Sequence, residues 1–267
     1  MTDASPRTYL HNRTREKMAR GELVIGLSLR LVRTPEIGRM LETTGFDFGF
    51  IDQEHSAYSL DTTSHMAVAM QDVGITPFVR VAGHEPWQCG LALDGGALGI
   101  FFPGVTSGEQ AAHLAALCRF PPVGVRSLGS TPQLAFRDLP LAEATAIANR
   151  EVVTVMMLEG PEAIERAEEI AAVPGADVLL VGANDLGMAL EIPGQPEHPR
   201  LVAAFERVVD ACRRHGKVTA LGGVYEESAL RRYVRMGVRL VLSGNDLGMM
   251  MAGMAQRAAL LRGVLDG

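Results

Sequence analysis

Residues 152–182 read VVTVMMLEGPEAIERAEEIAAVPGADVLLVG, and this stretch decides the fold class. Two short apolar runs, 152–158 and 176–182, enclose a segment whose apolar residues recur at helical spacing. A buried strand, an amphipathic helix and a second buried strand in this order are typical of a βαβ unit in a parallel sheet. The stretch therefore predicts an α/β protein.

The same alternation continues in both directions along the chain. Six further runs bring the predicted strands to eight: ELVIGLSL (22–29), FDFGFID (46–52), TPFVRV (76–81), LGIFFPG (98–104), KVTALGG (217–223) and VRLVLSG (238–244). Eight such units in 267 residues favour a single-domain (β/α)₈ TIM barrel over an open doubly wound sheet. No G-x-G-x-x-G follows the first strand, which argues against a dinucleotide fold. We expect residues 22–267 to form the barrel and residues 1–21 to pack on it.

Composition excludes several classes of partner. The net charge is −6, and no basic stripe of the kind that binds phosphate backbones is present, so we expect no nucleic acid. The first 21 residues are polar and lack an apolar signal core, and no apolar run is long enough for a membrane span, so we expect a cytoplasmic protein. Three cysteines without a C-x-x-C pair predict buried thiols rather than a disulfide or a zinc site.

Polar residues fall where the predicted strands end. In a TIM barrel the chemistry lies at the carboxyl ends of the strands, so these residues are the candidates for function. They are Asp52, Gln53, Glu54 and His55 after strand two, Arg80 in strand three, Glu159 after strand five, Asn184 and Asp185 after strand six, and Asn245 and Asp246 after strand eight. Asp94 precedes strand four, at the end of a predicted helix.

Glu159 and Asp185 follow neighbouring strands and predict a divalent metal site. Two carboxylates with room for water suit Mg²⁺ or Mn²⁺ better than zinc. Each residue alone is also explained by a helix: Gly160-Pro161 opens one after Glu159, where negative charge is favourable, and Asp185 can be an N-cap. The segment VGANDLGM (181–188) has an echo in LSGNDLGM (242–249), and both Asn-Asp pairs are open to this second interpretation.

Two further residues are candidates for a role in catalysis. His55 lies three residues after Asp52, in a loop where a carboxylate can hold a general base. Arg80 ends an apolar strand, where its charge requires a partner, either an enolate oxygen of the substrate or a carboxylate from a neighbouring strand.

The lysines exclude one mechanism. The chain has only Lys17, in the N-terminal segment, and Lys217, at the start of strand seven, and neither is expected to reach the catalytic face. A Schiff-base mechanism therefore lacks its nucleophile. Stabilisation of a carbanion beside a carbonyl would then require a metal.

These residues resemble the HpcH/HpaI aldolase family, the metal-dependent class II pyruvate aldolases. The resemblance runs from about Glu16 to the C-terminus. Its motifs are GFDFGFIDQEHSAYS (45–59), PFVRV (77–81), LDGGALGIFFPGV (93–105), PPVGVRSLG (121–129), MMLEG (156–160) and VLLVGANDLG (178–187). Any one of them alone is weak, whereas all of them in order and at similar spacing are specific.

The resemblance implies a reaction: a lyase that reversibly cleaves a 4-hydroxy-2-oxo acid to pyruvate, or a related 2-oxo acid, and an aldehyde through a metal-stabilised enolate. Glu159 and Asp185 would hold Mg²⁺, Mn²⁺ or Co²⁺, and Arg80 would stabilise the enolate oxygen. A His55–Asp94 pair would orient the base.

The resemblance also implies how substrate is held and how subunits assemble. Backbone amides near Ala183 and Asn184 would bind the pyruvate carboxylate together with Asp185, and Asp52 would support the loop after strand two. Family members are typically homohexamers built as trimers of dimers, with the last helix exchanged between neighbours.

Departures from the family's pattern surround the predicted site. Ser28 stands where some members have tryptophan, Gln53 where glycine is frequent and Met157 where some have glutamine, and the strand-six loop reads Gly-Ala-Asn-Asp instead of Gly-Pro-Ala-Asp. Arg30, just past strand one, is explained either by contact with an acidic aldehyde or by solvation.

Two other functions are compatible with the sequence. One is different metal-enolate chemistry, either decarboxylation of a 2-oxo acid or citrate-lyase-like cleavage. The other is a non-catalytic barrel that binds a metal and a 2-oxo acid. A long connection at 119–140 is expected on the surface, with a functional or oligomeric role.

Overall fold

The computed structural model describes residues 10–129 and 139–264. Eight parallel strands form one closed barrel in chain order, and together with the alternating helices they make a single domain. The strands are β1 (Val24–Leu29), β2 (Phe48–Asp52), β3 (Thr76–Arg80), β4 (Gly99–Phe102), β5 (Val153–Leu158), β6 (Val178–Gly182), β7 (Val218–Gly222) and β8 (Leu240–Asn245). Each lies within its predicted run, except that β8 continues one residue further. The predicted (β/α)₈ barrel is confirmed.

Helices connect the strands around the outside of the barrel. They are α1 (Arg13–Ala19), α2 (Ile37–Thr43), α3 (Leu60–Asp72), α4 (Pro86–Asp94), α5 (Gly108–Leu117), α6 (Leu141–Glu151), α7 (Pro161–Glu165), α8 (Ala167–Ala171), α9 (Ala183–Ala189), α10 (Pro199–His215), α11 (Glu227–Met236) and α12 (Asp246–Gly263). The predicted helix after β5 is divided into α7 and α8 at Arg166. The outer core lies between these helices and the sheet.

The inside of the barrel is filled by aromatic and aliphatic side chains. Strand residues alternate between the two faces of a sheet, so every second residue points inward. Phe50 meets Phe101 edge to face with the ring centroids 4.8 Å apart, and Phe78 lies 5.4 Å from Phe101. Because these side chains occupy the interior, the open space of the barrel lies at the ends of its strands.

Residues 10–21 cover the amino end of the barrel. Met18 of α1 is buried and belongs to the inner core. The side chain of Asn12 donates hydrogen bonds to the backbone oxygens of Leu98 at 3.2 Å and Glu151 at 2.9 Å. Lys17 is paired with Asp47 near the same end. A cavity lies at the opposite, carboxyl end of the barrel.

Other expectations concern the thiols, the membrane and the long connection. Cys89, Cys118 and Cys212 are free and buried, as predicted. No helix in the described part of the chain combines the length and the apolar character of a membrane span. The predicted connection 119–140 is described only at its two ends, since residues 130–138 lie outside the described ranges.

Candidate active site

The inward alternation of β1, β2 and β3 brings polar residues to the open end of the barrel. Ser28, Asp52 and Arg80 are inward residues at or near the carboxyl ends of their strands, and all three are buried. Asp52 is the direct register partner of Arg80 in the parallel pair β2·β3. The sequence pattern places these residues on the inner face, and the register sets which of them touch.

Arg80 is held by two carboxylates. Its Nε and Nη2 donate to the two oxygens of Asp52 at 3.0 and 2.7 Å, and its Nη1 lies 2.9 Å from Oε2 of Glu54. Burial by itself raises the pKa of the Asp52 carboxyl, but the hydrogen bonds and charge of Arg80 outweigh it and hold that pKa below its ordinary value. The ion-pair interpretation of Arg80 is therefore confirmed. An arginine has five N–H donors, so the pairing leaves donors of Arg80 for a substrate.

Glu159 points into the same space from the end of β5. Its Oε2 accepts a hydrogen bond of 2.7 Å from the backbone amide of Gly104, and a β-carbon at Gly182 would approach its Cγ to 2.9 Å. Burial raises the pKa of Glu159, the bond from Gly104 lowers it, and the negative charges of Asp185 and Glu54 raise it. The net pKa lies above the ordinary value. The absence of a side chain at Gly182 therefore leaves space for the side chain of Glu159.

Asp185 lies in the first turn of α9, directly after β6. Ala183, Asn184 and Asp185 line one cavity together with Glu159. The side chain of Asp185 does not cap α9, whose N-cap is Gly182 without a side-chain hydrogen bond. The N-cap alternative for Asp185 is therefore wrong, and its carboxylate is available to the cavity.

The donor set fits a hard divalent cation. Glu159 and Asp185 come from adjacent strands, β5 and β6, and their charges interact closely enough to raise the pKa of Glu159. Two carboxylates with solvent access leave ligand positions for water or substrate oxygens, as Mg²⁺ and Mn²⁺ require. Within the described ranges no group of three or more His, Cys, Asp or Glu side chains converges as a closed metal cage. The pair thus suits an open site.

His55 is exposed at the rim of the cavity. Its backbone amide donates to Oδ1 of Asp52 at 3.1 Å. Asp52 was expected to hold the imidazole of His55, but this hydrogen bond fixes the backbone of the loop instead. The ring has Glu54 as its neighbour, with Nε2 at 3.7 Å from Oε2. The side chain is 56% exposed. It can therefore meet a substrate from solvent.

Asp94 and His55 are not brought together within this chain. Asp94 ends α4, and because that helix runs back from β3 to the start of β4, its last residue lies towards the amino end of the barrel. Its Oδ1 accepts a hydrogen bond of 2.6 Å from Nη2 of Arg126. The expected His55–Asp94 pair is therefore not formed within one copy of the chain, where the carboxylate beside His55 belongs to Glu54.

The cavity has a volume of about 260 Å³, an apolar floor and a polar rim. The floor is formed by inward residues of the barrel, Phe50, Met157, Leu180 and Leu242. The rim carries Ser28, Arg30, His55, Arg80, Glu159, Asn184, Asp185, Tyr225 and Asn245. Such a site suits a small anionic molecule with a short carbon chain.

Sequence reasoning missed two residues at or beside the cavity. Glu54 stood among the strand-exit residues without a role, although it contacts both Arg80 and His55. Tyr225 follows β7, whose exit offered no polar strand residue to indicate it. Of the family departures, Ser28 and Met157 line the cavity, whereas Gln53 faces Thr63 and donates to it at 2.9 Å.

Asp246, the echo of Asp185, has a different role. Its carboxylate accepts hydrogen bonds from the backbone amides of Arg30 at 2.9 Å, Leu31 at 2.9 Å and Val32 at 2.8 Å. The neighbouring Asn245 caps α12 by accepting from Gly248 at 2.7 Å. The capping alternative is therefore right for Asn245, while Asp246 fixes the loop after β1.

Comparisons with known proteins agree on one family. The model of the HpcH/HpaI aldolase/citrate lyase family matches residues 31–252. A 4-hydroxy-4-methyl-2-oxoglutarate aldolase of Hapsidospora irregularis is 39% identical over 257 residues, which cover 93% of this chain and 94% of that protein. A 4-hydroxy-2-oxo-heptane-1,7-dioate aldolase of Salmonella typhimurium is 29% identical and covers 94% of each chain. The solved HpcH/HpaI aldolase of Desulfitobacterium hafniense superposes with a TM-score of 0.88 at 28% identity, covering 93% of this chain and 96% of that one.

Proposed function

The chain belongs to the HpcH/HpaI aldolase/citrate lyase family and is a carbon–carbon lyase, and from this premise we propose that it reversibly cleaves 4-hydroxy-2-oxo acids to pyruvate, or a related 2-oxo acid, and an aldehyde. The relatives named for 4-hydroxy-2-oxo acids support this substrate class. The observation that carries the proposal is the meeting of Glu159, Asp185 and Arg80 around one small cavity. This arrangement places positive and negative groups where an oxo acid can bind.

We propose that Glu159 and Asp185 hold a divalent cation, Mg²⁺, Mn²⁺ or Co²⁺. Support comes from the position of the two carboxylates after neighbouring strands and from the raised pKa of Glu159. The negative charge of Asp185 contributes to that rise, and a bound cation would relieve the repulsion between the two carboxylates. When bound, such a cation supplies a Lewis acid that stabilises negative charge on the 2-oxo group.

The protein's own groups are proposed to orient the oxo acid. Arg80 is fixed by Asp52 and Glu54, so its remaining donors are positioned before substrate arrives and can stabilise the enolate oxygen as the bond breaks. The backbone amides of Ala183 and Asn184, which line the cavity beside Asp185, are proposed to hold the substrate carboxylate. Groups fixed in advance stabilise the transition state without reorganising.

His55 is proposed as the base that takes the proton of the 4-hydroxyl while the C3–C4 bond breaks. The products of this step are the aldehyde and an enolate, which takes up a proton at C3 to become pyruvate. Its place on the rim and its exposure support access to that hydroxyl. We propose Glu54 as the residue that orients the ring, since it is the carboxylate that lies beside it. A positioned base contributes about 10²- to 10⁴-fold in rate.

Proton exchange at the methyl group of pyruvate tests this function. The protein is incubated in D₂O with pyruvate and Mg²⁺, Mn²⁺ or Co²⁺, and the methyl signal is followed by NMR. We expect exchange that requires the cation and that is reduced in Glu159→Gln but not in Glu162→Gln. Glu162 is an exposed residue of α7. Exchange in none of the three metals would reject an enolate-forming lyase.

We also propose a homo-oligomer, a hexamer built as a trimer of dimers with α12 exchanged between copies. Of the residues of α12 only Asp246 is buried, and the helix exposes apolar side chains: Leu247, Met249, Met250, Met251, Met254, Leu260 and Leu261. An apolar groove outside β1 and β8, beside α11, is lined by Leu23, Ile25, Phe46, Leu230, Val234 and Val241. A helix from a second copy would cover both surfaces.

A further inference from the structure

Two arginines, Arg30 and Arg80, line the cavity, and they differ in how closely carboxylates oppose their positive charges. Arg80 is buried between Asp52 and Glu54, so its charge is already opposed by two carboxylates. Arg30 is 41% exposed and reaches only the edge of Asp52, with Nε at 3.3 Å from Oδ2. Among residues 10–129 and 139–264, Asp52 is its one ion-pair partner. The terminal nitrogens of Arg30 are therefore a second cationic group that a ligand can reach, besides the donors that Arg80 keeps for the 2-oxo acid.

Ser28 lies close to Arg30 in the chain. Ser28 is an inward residue of β1, Arg30 directly follows the strand, and both line the cavity. Ser28 is 6% exposed, and within the described ranges its hydroxyl has no hydrogen-bond partner. A buried hydroxyl without a partner is unfavourable, and an oxygen of a bound ligand would satisfy it.

The backbone that carries Arg30 is fixed. Asp246 accepts hydrogen bonds from the amides of Arg30, Leu31 and Val32, all between 2.8 and 2.9 Å. Asp246 is itself buried. The loop is thus held before a ligand arrives, which lowers the entropic cost of binding to its side chains.

Ser28 and Arg30 lie where the end of a substrate distant from its 2-oxo acid group is expected. In a closed barrel of eight strands in sequential order, β1 lies opposite β5. Glu159 ends β5, so a 2-oxo acid held near Glu159 and Asp185 extends its other end across the cavity towards Ser28 and Arg30. A cavity of about 260 Å³ accommodates a short chain in this direction.

We propose that Arg30 and Ser28 form a subsite for a second carboxylate, so that the preferred substrates are 4-hydroxy-2-oxo dioic acids. This inference rests on the proposed function. On the opposite side the rim carries the carboxylates of Glu159 and Asp185, which repel an anionic chain end. Arg30 contacts that end and so sets specificity; it takes no part in breaking the C3–C4 bond.

Binding of two unreactive 2-oxo acids tests the subsite. The probes are 2-oxoglutarate and 2-oxopentanoate, which share chain length and the 2-oxo acid group and differ in the second carboxylate. Neither has a 4-hydroxyl, so neither is cleaved. Their affinities are measured by calorimetry in the presence of Mn²⁺ for the wild type, Arg30→Met, Arg30→Lys and Arg39→Met. Arg39 lies exposed on α2, and its replacement makes the same change in net charge.

We expect the wild type and Arg39→Met to bind 2-oxoglutarate more tightly than 2-oxopentanoate. In Arg30→Met this preference should fall by about 10- to 100-fold, the effect of losing a charge-assisted hydrogen bond, and Arg30→Lys should restore part of it. An unchanged preference in Arg30→Met, with a thermal unfolding transition like that of the wild type, overturns the subsite. No preference in the wild type overturns it as well.

Failure of the proposed function gives a different result. A wild type that prefers 2-oxoglutarate but neither exchanges the methyl protons of pyruvate nor cleaves 4-hydroxy-2-oxo acids would retain the subsite as a binding site and reject the lyase. Exchange and cleavage without a preference for the dioic acid would retain the lyase and reject the subsite.

Discussion

Both carboxylate oxygens of Asp52 accept hydrogen bonds from the guanidinium of Arg80, at 3.0 and 2.7 Å, and both side chains are buried. The two residues are register partners on adjacent strands, so the pair follows from the sheet itself. Arg80 is consequently a fixed group of the cavity, and its position depends on Asp52.

Asp52→Asn should destabilise the protein. The change leaves Arg80 buried with one carboxylate fewer, and removing one partner of a buried ion pair costs about 3 kcal/mol. The free energy of unfolding is measured by urea denaturation at pH 7. Asp61→Asn on the exposed side of α3 is the control, because it changes the charge equally and should have little effect.

The effect of Asp52→Asn should also depend on pH. The folded-state pKa of Asp52 is below its unfolded value, so the stability that the ionised group contributes is present above the unfolded pKa of about 3.9 and is lost as the pH falls through the folded pKa. The difference between the variant and the wild type should be constant from pH 8 to about pH 5 and shrink below about pH 4. A difference that grows in acid would contradict this assignment.

Glu159→Gln should have opposite effects on metal binding and on stability. Affinity for Mn²⁺ should fall at least 10- to 100-fold, about the loss found even for residues that only support a metal ligand. Without metal the variant should be more stable than the wild type at pH 7, because burial and the charges of Asp185 and Glu54 disfavour ionised Glu159. Calorimetry and thermal unfolding measure the two effects. A variant that binds Mn²⁺ as the wild type does would remove Glu159 from the metal site.

His55→Ala should lower turnover without loss of the metal. The expected decrease in kcat is about 10²- to 10⁴-fold, with Mn²⁺ affinity unchanged, because the ring is placed to move a proton rather than to bind a cation. His65→Ala is a matched control, since His65 is an exposed histidine of α3. Turnover equal to that of the wild type would show that another group is the base.

Asp246→Ala should loosen the loop that carries Arg30. Four backbone amides, those of Arg30, Leu31, Val32 and Leu247, lose their acceptor, and the free energy of unfolding should fall by about 2 kcal/mol or more. The preference for 2-oxoglutarate should fall with it. Asp210→Ala, in an exposed part of α10, is the control. Retention of both stability and preference would mean that the loop is held by other contacts.

Replacing apolar residues of α12 should change the oligomeric state. Met250→Lys with Met254→Lys places two charges on a helix that the single chain leaves uncovered. We expect smaller assemblies than in the wild type, measured by light scattering after gel filtration, with the circular dichroism of a folded barrel retained. An unchanged assembly would show that copies of the chain meet elsewhere.

Much of the architecture could be predicted because local patterns carry it. The eight apolar runs marked the eight strands, since a buried parallel strand needs a continuous apolar segment. Their position at the ends of predicted strands then identified Arg80 and Glu159 as residues of the catalytic end. The sequence could not distinguish the two partners open to Arg80, because that choice depends on the register between β2 and β3.

The prediction for Asp94 shows that a motif shared with a family does not by itself establish a contact within one chain. Its position in the sequence pattern suggested a partner for His55, but the end of α4 lies towards the other end of the barrel and pairs with Arg126. Glu54, in contrast, is adjacent to His55 in the chain and also beside its ring. Contacts across the barrel are decided by where each element begins and ends.

The repeated Asn-Asp-Leu-Gly-Met segment shows most clearly what the sequence determines and what only the tertiary structure determines. By itself the sequence determined that residues 184–188 and 245–249 each follow a strand and enter a helix. Only the tertiary structure decided that Asp185 faces the cavity beside Glu159, while Asp246 turns to the amides after β1. The physical reason is the neighbouring strand. Next to β6 lies β5, which is followed by a second carboxylate. Next to β8 lies β1, which is followed by three backbone amides that donate to one carboxylate.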